Sequence, residues 1–151
     1  MAIFLIRDDA TTDPNVKVRT SGSQAYTRGD MVMCDRTSDG TDVIPATASS
    51  VSDNLFGIAA ETIASTVTTL LVTPIKFSRT QIWGADSTNN SNSNHRYQRM
   101  VVGASARIIN NTGTDVTLAT GVFTQTGELG AASAKQITGY FNVGAITTAS
   151  A

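Results

Sequence analysis

Cysteine, histidine and charge are all scarce in this sequence, and each shortage removes a class of explanation. A single cysteine, Cys34, excludes an internal disulfide and any multi-cysteine zinc site. The fold must then be held by packing or by oligomerisation, as suits a protein made in a reducing cytoplasm. The single histidine, His95, follows an Asn/Ser-rich stretch and sits beside Arg96. A catalytic base needs a third group to hold it rigidly, which such a stretch does not supply, so a solvated loop histidine is the simpler reading. One His and one Cys leave too few usual ligands for a transition-metal site. Charged residues make up 15% of the chain, the formal net charge is −1, and Lys and Arg are scattered. Without clustered cations to meet phosphates, nucleic acid is not expected as a partner. The opening apolar run, Met1 to Ile6, lacks a basic flank and stops at Arg7-Asp8-Asp9. That is too short for a signal peptide or a membrane span, so a soluble protein with no membrane partner is expected.

What remains is β-structure. The chain is 40% apolar, with a polar remainder dominated by Thr, Ser, Asn and Gly. β-Branched residues suit a pleated surface, and Gly, Asn and Ser suit its corners. A length of 151 residues fits one body that buries roughly two-thirds of its unfolded surface. The expected class is all-β, a small closed barrel or a sandwich. Residues 1–25 read as an extended N-terminal arm and residues 26–151 as a single β-rich domain.

Two readings of the arm stand. Ile3, Phe4, Leu5 and Ile6, with Val16 and Val18 in an alternating run, form either an ordinary first strand or an edge that adds a strand to a neighbouring molecule. Beyond it, Met31 to Cys34 and Thr41 to Ile44 read as a hairpin around Asp39-Gly40, with Pro45 closing the return strand. Leu55 to Ala60 and Val67 to Val72 read as core strands, and Ile75 to Trp83 as a strand with one wet face. Gly84 to Asn94 reads as a long polar surface loop with nothing to anchor a core. Further short strands are expected at Tyr97 to Val102, Ala104 to Ile109, Val116 to Leu118, Gly121 to Thr126 and Ile137 to Val143. Turns are expected at Asn110 to Gly113 and Gly127 to Gly130. A faint repeat sets Gly40-Thr41-Asp42-Val43 against Gly113-Thr114-Asp115-Val116.

No motif points to catalysis or to a cofactor. Asp35, Asp39, Asp42 and Asp53 match no calcium-loop spacing and are read as turn formers. Cys34 lies in an apolar run with no basic setting and reads as a small buried hydrophobe. Arg28-Gly29-Asp30 matches an adhesion tripeptide but precedes a strand and reads as a turn. The glycines form no phosphate-cradling loop.

From Tyr26 through Gly29-Asp30 into Met31 to Met33, then Val43-Ile44-Pro45-Ala46-Thr47 and Leu55-Phe56-Gly57-Ile58-Ala59, the chain resembles tailed-bacteriophage capsid decoration, or cement, proteins. The resemblance implies a β-rich structural protein without catalytic residues, commonly a homotrimer. It implies a seat on the outer surface of a capsid, where major capsid protein subunits meet. On that reading the arm residues Ile3, Phe4, Leu5, Ile6, Val16 and Val18 contact the shell or a neighbouring subunit. The alternative is a virion receptor-binding or adhesin-like domain with the Gly84 to Asn94 loop as its tip.

Overall fold

The structure is a computed structural model that describes residues 3–8, 15–21, 24–35, 42–48, 50, 54–88, 96–111, 115–116, 120–130 and 134–142. The all-β expectation holds, because every described element longer than a single turn is a strand. Strands β2 (Val16–Thr20), β3 (Met31–Cys34), β4 (Asp42–Pro45), β5 (Leu55–Ala59) and β6 (Thr69–Pro74) close into a barrel in the order β2-β4-β3-β5-β6. A second sheet contains β1 (Phe4–Arg7), β7 (Ile82–Ser87), β8 (Arg99–Val102), β9 (Ile108–Asn110), β10 (Phe123–Leu129) and β11 (Gln136–Phe141). Its order is β1-β7-β11-β10-β8-β9, and β9 pairs back onto β7, so β7 to β11 also form a closed ring.

The two rings are one wiring diagram used twice. Each is antiparallel except for one parallel seam, β2 on β4 in the first and β7 on β9 in the second. The registers correspond pair by pair at a shift of about 67 residues, which marks a tandem repeat. Val32 faces Gly57 as Met100 faces Phe123, and Gly57 faces Pro74 as Phe123 faces Phe141. Cys34 faces Val43 as Val102 faces Ile109, and Lys17 faces Leu71 as Gly84 faces Thr138. Even the parallel seams agree, with Arg19 beside Asp42 and Asp86 beside Ile108. The structural repeat therefore sets Asp42 against Ile108. The sequence match with Asp115 comes from turn composition and is not the true correspondence.

Inward positions also correspond, although their contents differ. The first barrel is filled by Tyr26, Val32, Val43, Ala59, Leu70 and Val72, and the Tyr26 hydroxyl donates to the Val43 carbonyl at 2.8 Å. The second is filled by Trp83, Phe123 and Phe141 in edge-to-face contact, with Met100, Val102, Ile109 and Ile137. Gly57 and Val72 in the first barrel occupy the places of Phe123 and Gly139 in the second. A Cβ on Gly57 would strike the Val72 side chain, and a Cβ on Gly139 would strike the Phe123 ring. The same volume is filled from opposite strands, so one backbone accepts both solutions.

Several expectations change. The described parts of residues 1–25 form no arm apart from the body. β1 lies antiparallel on β7, and β2 is a wall of the first barrel. Ile3 is buried in the shared core with Leu5 packed against it, and the Phe4 ring covers Gly84, where a Cβ would collide with it. The polar loop does not begin at Gly84. β7 continues to Ser87 with Gly84 and Ala85 buried, because small residues are what the Phe4 ring and the core leave room for. The loop's remainder, 89–94, lies outside the described residues, as do His95, the Asp39-Gly40 turn, Asp53 and the end of the chain.

Ile75 to Gln81 is a link between barrels instead of a strand. Gln81 holds it by accepting from the Lys76 N–H at 2.8 Å and the Trp83 indole at 3.1 Å, while donating to Asp8 and the Pro74 carbonyl. β10 runs through Gly127 to Leu129, with a register shift after Gln125, where a turn was expected.

Candidate functional site

Among the described residues, Asp30 and Asp42 named by the sequence serve a turn and an ion pair, and Asp39, Asp53 and His95 lie outside those residues. Asp30 turns back on its own segment, accepting from the Thr27 N–H at 2.8 Å and facing Arg107 at 3.5 Å. Arg28-Gly29-Asp30 is thus a turn with a largely buried carboxylate. Asp42 is tied to Arg19 across the parallel seam. Cys34 is half-buried on β3. Among the described residues no three His, Cys, Asp or Glu side chains gather as a metal site would require.

A groove of about 1010 Å³ lies on the outside of the second barrel. Its walls include Phe77, Arg79, Tyr97, Arg99 and Tyr140, with Ile6 of β1 at one side. Arg79 lies 5.7 Å from the centre of the Tyr140 ring, a cation–π distance. Arg99 grips Asp115 through two guanidinium bonds, 2.8 and 3.1 Å, and through its backbone N–H at 2.7 Å. Those side-chain and backbone hydrogen bonds hold the Asp115 carboxyl down at about 2.

Backbone strain singles out this groove. Three described non-glycine residues have positive φ: Phe77 at 53°, Tyr97 at 65° and Lys135 at 53°. Two of them, Phe77 and Tyr97, are aromatics that line the groove, and bulky side chains in the left-handed region cost on the order of 1 kcal/mol or more each. The repeat shows what relaxed chemistry would be at one of these sites. The Gly29 N–H donates to Ala59 at 2.8 Å as the Tyr97 N–H donates to Gln125 at 2.6 Å, and Gly29 has φ of 93°. The first barrel therefore uses glycine where the second uses a tyrosine that is 73% exposed. An exposed aromatic gains little from packing, so its place there calls for another reason.

Of the six arm residues, Ile3, Phe4 and Leu5 are spent on the body. Ile6 is 45% exposed and lines the groove, Val16 is exposed on the first barrel, and Val18 packs against that barrel's core. Sequence reading missed Phe77, Arg79, Tyr97 and Tyr140 as a group, because strand alternation places such residues without saying which share a face. No family model matches the chain, and no curated protein matches it.

Proposed function

We propose that the chain is a non-enzymatic structural protein of a virion. It binds the outer surface of a phage capsid at junctions between major capsid protein subunits, as a homotrimer, and stabilises the shell. The observation that carries an association role is the groove, where the exposed Tyr97 and the half-buried Phe77 are held on strained backbone beside Arg79 and Arg99. Tyr, Phe and Arg are the residues enriched at protein interfaces. The capsid itself is supported by the resemblance between Tyr26 and Ala59, and β-barrels held by packing alone suit a protein that acts by burying area.

The test is to add the purified chain to shells that lack it and count bound copies. Saturation at a number tied to the shell lattice, with a raised temperature of shell disruption, is the expected result. Absence of binding at any concentration would refute it. The second reading, a receptor-binding domain, is favoured by the groove's Tyr97 and Tyr140 rings beside the Arg79 guanidinium, surfaces on which a sugar ring can stack. Binding to glycans, with few copies per particle, would select it.

A further inference from the structure

The repeat shows which side chains of the groove the barrel itself does not need. On the first barrel Met31 faces Ile58 and Ile58 faces Thr73, a row of side chains running across the strands. Its counterpart on the second barrel is Arg99, Thr124 and Tyr140, paired in the same way. Met31 and Ile58 are buried in the core that the barrels share, where Ala106 accepts the Met31 N–H at 2.6 Å and Arg107 faces Asp30 at 3.5 Å. They are thus covered by the second barrel. The second row instead lines the open groove, and Ile82 of β7 and Ile6 of β1 line it beyond Tyr140. The groove therefore crosses five strands, a span of roughly 19 Å at the usual strand spacing.

A ligand laid across strands meets side chains and not the main chain, whose N–H and C=O groups are spent in the ladders. An extended peptide gains its main-chain bonds along a sheet edge, which this face does not offer. What the face offers is rings, a carboxylate and, among the described residues, one cation without a carboxylate partner. Tyr97 stands 73% exposed where the first barrel has Gly29, and Tyr140 takes the place of Thr73. Arg79 lies over the Tyr140 ring and, among the described residues, meets no carboxylate, whereas Arg99 is held by Asp115. The Asp115 side chain is 46% exposed, so its oxygens still accept from a ligand hydroxyl.

An aromatic face stacks on the C–H face of a sugar ring, a carboxylate accepts from sugar hydroxyls, and an unpaired guanidinium calls for an anion. We propose that the groove binds an acidic oligosaccharide, its rings lying on Tyr97 and Tyr140 and a sugar carboxylate meeting Arg79. This rests on the receptor-binding reading of the groove and names its ligand class. A single-stranded nucleic acid would use the same rings. Its phosphates, however, call for clustered cations, and of the groove's two arginines Asp115 already neutralises Arg99.

The experiment is isothermal titration of the full chain with oligogalacturonate, oligoalginate, hyaluronan fragments and sialyllactose, each beside its methyl ester, which keeps the rings and removes the charge. Wild type is expected to bind at least one acid about tenfold more tightly than its ester, with the difference shrinking at high salt. Tyr97→Gly should weaken acid and ester alike by about tenfold. Arg79→Gln should weaken the acid alone, and circular dichroism checks that both variants fold. Binding to none of the acids would overturn the proposal. Esters bound as tightly as acids, with no effect of Arg79→Gln, would overturn it while leaving a glycan-binding receptor domain standing. Tighter binding of oligothymidylate than of every acid would overturn it in favour of nucleic acid. Binding to no glycan of either kind would remove the receptor-binding reading as well.

Discussion

The two barrels share every strand pairing but almost none of their filling, and the contrast separates what fixes a topology from what fills it. Register and the parallel seam are common to both. Leu70, Val72 and Tyr26 fill one interior, and Trp83, Phe123 and Phe141 fill the other. The exchange of Gly57 and Val72 for Phe123 and Gly139 shows that the backbone asks for volume and not for particular residues. The outer faces differ for another reason. One is always covered by its neighbour and is apolar, while the other is open, polar and strained.

The largest expected effect tests whether the barrels stand alone. Phe123→Ala should cost about 3–5 kcal/mol. Because the shared core runs from Met31 and Ile58 through to Phe141, both barrels should unfold together. Trp83, the sole tryptophan, reports the second barrel. With Leu70→Ala in the first barrel, its fluorescence and the far-UV dichroism should still shift to one common urea midpoint. Separate midpoints would make the barrels independent.

Next come the volume-exchange sites. Gly57→Ala and Gly139→Ala should each destabilise by about 1–3 kcal/mol, because the added methyl also meets the Thr73 and Thr124 carbonyls. Val72→Ala should relieve Gly57→Ala and leave Gly139→Ala unchanged, measured as a double-mutant cycle in urea.

A smaller and opposite effect is expected at the strained site. Tyr97→Gly should stabilise by about 1 kcal/mol by removing the left-handed tyrosine, while Gly29→Ala should destabilise by a similar amount. Thermal unfolding checks both, and a Tyr97→Gly chain that is less stable than wild type would deny the strain.

The pH limbs should be the weakest contrast. Burial, then the charges of Asp35, Asp30 and Asp42, push Tyr26 from 10.0 up to about 12, so the fold favours its neutral form. Its contribution is present below pH 10 and lost as pH rises from there toward 12, and Tyr26→Phe should flatten that limb. Asp115 is shifted the other way, from 3.8 to about 2, so its contribution is present above the unfolded value and lost as pH falls toward 2. The pair is exposed, hence Asp115→Asn should change acid stability only slightly.

Much of the β-class was legible because strand periodicity is local. Met31 to Cys34, Leu55 to Ala59 and Gln136 to Phe141 declare themselves by apolar runs between turn residues. The repeat was not legible, since exchanged volumes at Gly57, Val72, Phe123 and Gly139 erase sequence identity while keeping the fold. Arm and body could not be told apart in Ile3 to Arg7, because an edge strand looks the same whether its partner is β7 or another molecule. The groove was hidden for a similar reason. Positive φ at Phe77 and Tyr97 leaves no trace in residue type, and only the counterpart Gly29 exposes it.

The decisive measurement is amide hydrogen exchange at two matching positions in the free chain. The Met31 N–H lies under the second barrel and opens only when the barrels part, whereas the Arg99 N–H is covered by the exposed Asp115 carboxylate alone. Met31 should exchange at least ~100-fold more slowly than Arg99, in keeping with core and surface opening energies. Equal rates at the two amides would contradict the picture of one repeated barrel with one face covered and the other open.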